Sequence, residues 1–486
     1  MVMNWVLIIG ITLLTVGLAV LLSRIFGGGK SGAADNKDFL LAGGNLGAFV
    51  AAGTLCATYW SGYAFVGSVG TGYAFGYNQL LGGACYIPAL LVGVLFMAKF
   101  LKKKADKMGS LSISQYAGQI HGSATVHALC AISTILLMFV SLMTQFKALG
   151  RLLEPLLGID GDVVALVIGI ICILYTMYGG LKTVAYSDII MAVGMTIGTL
   201  LCIFFVFKNM SLGEMTANLR AIDPQLTDPT SGAPYGEFKW GAMMMFPMAL
   251  FGLIGTPHTA TRFLSVKKDI KWWKFGLWCF VFAGLWELLP FVGTFLRAAG
   301  VELEVADTAM AFFLNNYTSG IIRAFVAVCV LMAIRSTVDS VLQCISSSFS
   351  YDLRYIINKG KGMDDTVKAM RYNRIFVAII GVAAIGANFF TEPKFLVFMG
   401  TLGVGTLEAI MFGPMFVTTF WQGNKYGAIA SMLVGGISTG YFLLTDTLMW
   451  ATASVAGELL AAVVYVGVSL ATFKICPRAK IESSIV

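Results

Sequence analysis

The chain has 486 residues, of which 58% are hydrophobic and only 12% are charged, and its formal net charge is +8. Soluble domains carry roughly 25% charged residues, so this composition excludes a water-soluble globule, a disordered chain and a disulfide-rich secreted domain. Many stretches reach the ~20 apolar residues that a membrane-spanning helix needs. The composition therefore predicts an all-α membrane protein whose surroundings are a lipid bilayer.

Apolar stretches and the residues that interrupt them predict about 13 transmembrane helices. In chain order they lie near residues 3–23, 46–76, 79–101, 124–157, 161–179, 183–207, 240–257, 273–298, 318–350, 374–391, 395–421, 426–445 and 455–475. The longest segment between them, about 208–239, leaves no room for a catalytic or signalling domain.

Basic residues cluster in the loops on one side of the predicted bundle, at 99–107, 262–274 and 354–374. The opposite loops carry acids such as Glu302 and Asp307. By the positive-inside rule, the N-terminus lies outside and the C-terminus in the cytoplasm of a multi-pass cell-membrane protein. The positive net charge therefore reports orientation, and we expect no nucleic-acid partner.

The nine cysteines and three histidines form no catalytic or metal-binding pattern. The cysteines lie in apolar runs without a C-x-x-C pair, which is typical of small core residues. His121, His127 and His258 are scattered along the chain, and no nucleophile stands beside a base. The sequence therefore does not predict an enzyme.

Two predicted spans contain helix breakers deep in the membrane. In the second span, residues 57–62 (ATYWSG) are followed by several glycines up to Gly76, and Gly252, Gly255 and Pro257 interrupt the seventh. Unwound backbone at that depth is tolerated where it is buried or lines a polar cavity. Paired broken helices in two halves indicate an inverted-repeat transporter, whereas the alternative is that the glycines merely permit close helix packing.

The two broken helices predict a five-plus-five inverted-repeat core in which each repeat begins with a broken helix. The predicted division is a peripheral N-terminal helix (1–26), a first repeat (46–207), a second repeat (240–421), two peripheral C-terminal helices (426–475) and a cytoplasmic tail (476–486).

Ionisable residues inside the bilayer are costly unless they are paired or hydrated. The candidates are Lys147, Asp188, Glu287, Arg335, Asp339 and Glu408. Arg335 and Asp339 lie four residues apart on one helix face, and mutual neutralisation is one interpretation of the pair. Lys147 has two explanations, a charge that reaches interfacial water or a contact with an anionic solute.

Ser336 and Thr337 provide two adjacent hydroxyl groups in the ninth span. Hard cations prefer oxygen ligands, which hydroxyls and the carbonyls of an unwound helix supply. If these residues face the break at 57–60, they predict a sodium cage; the alternative is that the hydroxyls bond back to their own helix.

Four stretches give the chain a resemblance to the sodium/solute symporter family over about residues 38–420. They are 38–44 (DFLLAGG) with 57–62, 178–188 (YGGLKTVAYSD), 255–263 (GTPHTATRF) and 333–340 (AIRSTVDS). The resemblance implies that sodium is held by the carbonyls of Ala57, Trp60 and Ala333 and the hydroxyls of Ser336 and Thr337. A second ion site, which some members have, would map to Asp188, Ser336, Asp339 and Ser340.

Within the family, residues 145–146 (QF) and 151–154 (RLLE) look most like the pantothenate-type branch. The resemblance implies a small organic solute, pantothenate or a related small carboxylate. The implied solute-binding residues are Ser61, Tyr63, Gln145, Lys147, Leu253, Thr256 and Glu408.

The resulting hypothesis is a secondary active symporter that carries the solute into the cell with Na+ by alternating access, as a monomer or weak oligomer. Arg335, Asp339 and Glu408 depart from the family's pattern. They keep open a proton-coupled or sodium-independent carrier of a sugar or amino acid. A solute sensor with the same fold that does not transport is the other alternative.

Overall fold

The computed structural model describes residues 36–231, 239–361, 366–390 and 396–479, together with Gly10, Gly17 and Leu21. Apart from those three positions, the predicted N-terminal helix (1–26) lies outside the described residues, as does the predicted tail beyond residue 479.

The described chain is built from helices, and no strand occurs in those residues beyond a single bridge between Leu46 and Val266. The helices are α1 Asn36–Leu41, α2 Ala48–Gly62, α3 Ser68–Phe75, α4 Tyr77–Val92, α5 Ala98–Met108, α6 Ile113–Ile120, α7 Ala124–Leu157, α8 Gly161–Asn209, α9 Leu212–Ile222, α10 Met245–Gly255, α11 Pro257–Leu264, α12 Trp272–Trp286, α13 Pro290–Ala298, α14 Ala309–Tyr317, α15 Gly320–Ser347, α16 Arg354–Ile357, α17 Thr366–Asn388, α18 Leu396–Met411, α19 Thr418–Phe420, α20 Lys425–Leu444 and α21 Trp450–Thr472. Wider π-helical turns at Tyr63–Gly67, Gly93–Met97, Ser348–Leu353 and Phe412–Val417 join α2 to α3, α4 to α5, α15 to α16 and α18 to α19.

Nine helices in the described part of the chain are long and apolar enough to cross a membrane. This confirms the all-α membrane class. The number of thirteen stays a prediction, because the N-terminal segment is not described and the interrupted spans do not meet the criterion of one long apolar helix.

Helix α8 is helical over 49 residues, where the sequence predicted two spans. Gly194 packs against Met332 of α15, and a straight α8 antiparallel to α15 would carry Thr176 well past Asp339. Thr176 nevertheless donates a hydrogen bond to Asp339 over 2.8 Å. Helix α8 is therefore not straight between Thr176 and Gly194.

Two helices are interrupted where the sequence predicted breaks. At Ser61 the backbone takes φ 52° and ψ −165°, which no helical residue adopts. At Thr256 it is extended, with φ −94° and ψ 120°, and Pro257 then starts α11, a position where its missing N–H costs no hydrogen bond. Each interruption frees backbone carbonyls inside the bundle.

Helix α2 packs against α8, α12 and α15. Nearly the whole central part of α15 is buried, including every residue from Ala333 to Leu342. This packing brings the break in α2 against the hydroxyl-bearing turn of α15.

Candidate functional site

The predicted sodium residues of α2 and α15 come together around the break in α2. The Ser336 hydroxyl lies 2.9 Å from the carbonyl oxygens of both Ala57 and Ala333. The Thr337 hydroxyl donates to the carbonyl of Thr58 over 3.2 Å, and the Trp60 carbonyl accepts the N–H of Tyr63. These oxygens are neutral and buried, so the donor set has the chemistry that a hard monovalent cation prefers.

Gln145 of α7 supports the broken backbone of α2. Its side-chain oxygen accepts a hydrogen bond from the N–H of Gly62 over 3.3 Å, and the Ser61 hydroxyl accepts the N–H of Tyr63 over 3.1 Å. Side chains therefore replace part of the backbone hydrogen bonding that α2 loses at the interruption. Gln145 thus has a structural contact in addition to its predicted place in the solute site.

Asp188, predicted for a second ion, lies in a buried network with a guanidinium. It accepts a hydrogen bond from Thr54 over 2.6 Å, and Arg262 Nη2 lies 3.6 Å from Asp188 Oδ2. The same guanidinium donates to the Ser340 hydroxyl, which is 2.9 Å from the hydroxyl of Thr58. Arg262 is therefore the cation that neutralises this cluster.

Asp339, also predicted as a ligand of a second ion, pairs with Arg335. One interpretation of the sequence had proposed this pair. Arg335 Nε lies 3.5 Å from Asp339 Oδ2, and both side chains are almost completely buried. Asp339 also accepts from Thr176, and Arg335 donates to Ser187 over 3.4 Å. A second fixed guanidinium thus compensates the second buried carboxylate.

A cavity opens beside the sodium residues and encloses about 840 Å³ of empty space, which includes volume open to solvent. Thr58, Ser61, Gly62 and Thr337 form the wall that the cavity shares with the sodium residues. A solute in this cavity would touch the same break in α2 at which the predicted sodium residues lie.

The structure brings four of the seven predicted solute residues to this cavity, namely Ser61, Tyr63, Gln145 and Glu408. It places the other three elsewhere. Leu253 is fully buried against Gly93, and the Thr256 hydroxyl bonds back to the Gly252 carbonyl over 2.7 Å. Lys147 Nζ lies 3.5 Å from Asp162 Oδ1 at the start of α8, because its position on α7 turns it away from the cavity.

A second cavity of about 440 Å³ lies on the other side of the Arg262 cluster, and Arg262, Ser340 and Asp352 are among its lining residues. The hydrogen bond between Thr58, which lines the first cavity, and Ser340 crosses the wall between the two. His258 contributes to both cavities. The polar cluster therefore separates two empty spaces along the bundle.

Several residues of the site were given no role by the sequence interpretation. Thr58 supplies a carbonyl to Thr337, and Glu287 accepts a hydrogen bond from the Trp60 indole over 2.7 Å. Glu458 of α21 is fully buried and interacts electrostatically with Glu408. An acid inside the predicted span 455–475 was the signal that could have found Glu458.

Comparison with known proteins agrees with this geometry. The family model for the sodium:solute symporter family matches residues 39–435. A sodium/pantothenate symporter of Escherichia coli strain K12 is 29% identical over 82% of this chain and 83% of its own length. A sodium/pantothenate symporter of Haemophilus influenzae is 26% identical over 82% of each chain.

Two solved structures share the fold. A Na+-coupled sialic acid symporter in a substrate-bound outward-open state gives a TM-score of 0.80 at 17% identity, over 99% of both chains. A nucleobase-cation-symport-1 family transporter in a closed conformation gives 0.53 at 14% identity, over 90% of this chain and 95% of that one.

The family-model match and the fold with its two broken helices define a secondary active membrane transporter. The chain belongs to the sodium:solute symporter family. It is a sodium-coupled symporter of a small solute, as the sequence predicted, and its family and relatives are transporters and not enzymes.

Proposed function

We propose that the protein carries its solute into the cell by alternating access, with one sodium ion held by Ala57, Trp60, Ala333, Ser336 and Thr337. The observation that carries the proposal is the contact of the Ser336 hydroxyl with carbonyls of two helices, both at 2.9 Å. Sodium at this point ties α2 to α15 across the break in α2.

Sodium and solute are coupled because they share the broken segment of α2. Ser61 and Gly62 line the solute cavity, while Ala57 and Trp60 belong to the proposed ion cage. An ion that orders this segment raises the affinity for the solute, and the solute raises the affinity for the ion by the same factor.

The buried charges favour the binding of one sodium ion. They disfavour the second ion that was predicted at Asp188, Asp339 and Ser340. Arg262 already lies against Asp188 and Ser340, and Arg335 against Asp339. Another cation at either carboxylate would face a fixed guanidinium. We therefore expect sodium to stimulate transport with a Hill coefficient of about 1.

The cluster of Thr54, Asp188, Arg262, Ser340 and Thr58 forms the inner gate in this proposal. Its hydrogen bonds close the wall between the solute cavity and the second cavity. Release of the solute to the inside requires these contacts to separate, and the two cavities then become continuous.

The division into two repeats, 46–207 and 240–421, with peripheral helices at 426–475, is part of the proposal. Its support is that each proposed repeat begins with an interrupted helix, α2–α3 in the first and α10–α11 in the second. We further propose a monomeric working unit, because the proposed ion cage and the solute cavity lie within one chain.

Sodium dependence is tested on the purified full chain by thermal stability in sodium and in potassium at equal ionic strength. A ligand that binds only the folded protein raises its stability in proportion to the logarithm of ligand concentration, so we expect a sodium-specific increase. Solute counterflow in proteoliposomes then separates a transporter from a sensor. Equal stabilisation by potassium, or uptake driven by a proton gradient without sodium, would contradict the proposal.

A further inference from the structure

The solute cavity contains a carboxyl group without a fixed positive charge beside it. Among the described residues that line it, Glu408 has the only carboxylate, and no lysine or arginine is present. His258 and three tyrosines are its other titratable groups. The carboxylate hypothesis assigned the positive charge to Lys147, which lies against Asp162 instead.

Glu408 is buried in a place that gives its carboxyl group no cationic partner among the residues that line the cavity. Only 2% of the residue is exposed, and its Oε2 has no hydrogen-bond partner among the described residues. Glu408 interacts electrostatically with Glu458, and neither carboxylate oxygen of Glu458 has a hydrogen-bond partner among the described residues. A buried carboxylate without a cation is costly, and of these two acids only Glu408 lines the cavity, where a positive charge could reach it.

The bundle makes room for the Glu408 carboxylate at a glycine. A Cβ atom at Gly252 would collide with Glu408 Oε1, so the acid lies directly against the backbone of α10, just before its break. The position of the Glu408 carboxyl group therefore depends on the glycine at position 252.

Aromatic rings complete the surroundings of this acid. Tyr59, Tyr63, Tyr86 and Trp450 line the cavity, and the rings of Tyr59 and Tyr86 lie 5.5 Å apart at an angle of 35°. The faces of such rings attract ammonium groups, including quaternary ones. A carboxylate beside several aromatic faces is the arrangement that suits a positively charged nitrogen.

We propose that the solute carries an ammonium or quaternary ammonium group, which binds between Glu408 and the rings of Tyr59 and Tyr86. This inference rests on the proposed function, because it concerns the same cavity. An opposite charge close to a carboxylate stabilises its ionised form, and the arriving nitrogen provides that charge. A solute whose only charge is negative would instead place a second anion beside Glu408.

Four probes distinguish solute classes in saturating sodium: choline as a cation, glycine betaine as a zwitterion, pantothenate as an anion and glucose as a neutral solute. Each is tested on the purified full chain for added thermal stabilisation and for counterflow in proteoliposomes. We expect choline, glycine betaine or both to bind and exchange. Glu408→Gln should weaken that binding by about thirtyfold or more, the cost of removing one partner of a buried charge pair.

Two further variants separate the charge from its surroundings. Gly252→Ala should weaken the same probes, because the new methyl group displaces the Glu408 carboxylate without removing it. Glu458→Gln is the matched control: it removes an equally buried acid that does not line the cavity, and it should leave ammonium binding at least as strong.

Exchange of pantothenate or glucose without competition by either ammonium probe would overturn the inference. So would the absence of any stabilisation by both ammonium probes, or unchanged affinity in both Glu408→Gln and Gly252→Ala. Stabilisation by sodium alone is measured beside each test. It is retained if only the solute inference fails, and it is absent if the sodium coupling of the proposed function fails.

Discussion

Ser336 connects the two helices of the proposed ion cage, because its hydroxyl contacts carbonyls of α2 and of α15. Removing it with its neighbour, in Ser336→Ala/Thr337→Ala, deletes two of the five proposed ligands. Since each lost oxygen contact weakens binding by roughly 1 kcal/mol, the half-saturating sodium concentration should rise about tenfold or more. Uptake measured against sodium concentration checks this.

The control for that variant is Thr199→Ala. Thr199 is a buried hydroxyl that bonds only to the Met195 carbonyl of its own helix among the described contacts, over 2.9 Å. Its loss should leave the sodium dependence unchanged. If the double variant at α15 shows the same sodium dependence as the unmodified chain, the assignment of the ion cage is wrong.

The Arg335–Asp339 pair makes a prediction about folding. Asp339→Asn alone leaves a guanidinium buried without its anion, whereas Arg335→Gln/Asp339→Asn removes both charges. Breaking one side of a buried ion pair typically costs about 3–5 kcal/mol. The single variant should therefore give a lower yield and a lower Tm in detergent than the double variant. Losses that simply add in the double-mutant cycle would count against the pairing.

At the scale of helices, the interruption in α2 depends on its neighbour α7. Gln145→Met removes the acceptor for the Gly62 N–H, and an unpaired buried donor costs about 1–3 kcal/mol. We expect solute affinity to fall about tenfold or more. Equilibrium binding or counterflow of the transported solute measures this.

Lys147→Met, two residues further along α7, is the matched comparison. Lys147 contacts Asp162 rather than the cavity, so this variant should retain most of the transport activity. If Lys147→Met loses as much solute binding as Gln145→Met, Lys147 belongs to the solute site and its placement here is wrong.

The interrupted helices could be predicted from glycine and proline, although the glycines themselves have another role. Gly72 lies against the Pro290 backbone, and Gly70 against that of Ala306, so close packing explains them. The backbone breaks fall instead at Ser61 and Thr256. The glycines thus point to the span that is interrupted, although they themselves allow close helix packing beside the break.

Contacts between distant helices are the part of the site that one sequence does not reveal. The four-residue spacing of Arg335 and Asp339 shows a shared helix face, and their contact was foreseen. Arg262 meets Asp188 only because α11 and α8 both pack against α2 with particular rotations. The same rotations direct Lys147 away from the cavity and Glu408 into it, and periodicity alone does not define them.

For the molecule as a whole, the lysine-rich loops lie at one end of the bundle. Lys102 donates to the carbonyl of Leu264 over 2.9 Å, and Gln422 binds the carbonyls of Ile120 and Ala479. The positive-inside rule predicts that this end, with the C-terminus, faces the cytoplasm and that the N-terminus faces outside.

Reporter fusions test that orientation. A fluorescent protein at the C-terminus should be bright and alkaline phosphatase there inactive, because the phosphatase needs the oxidising exterior. Fusions after Ser231, in the loop at the opposite end, should show the reverse pattern. Active phosphatase at the C-terminus would reverse the orientation.

The neutral cage around the proposed sodium position has an electrical consequence. Arg262 and Arg335 already compensate Asp188 and Asp339, so an entering sodium ion brings a net charge that nothing in the cage cancels. Each transport cycle then gains about 2.3 kcal/mol per 100 mV of membrane potential from the sodium ion. An ammonium solute with a net charge of one would double that gain. Voltage would drive accumulation of the solute even where the sodium concentrations on the two sides are equal.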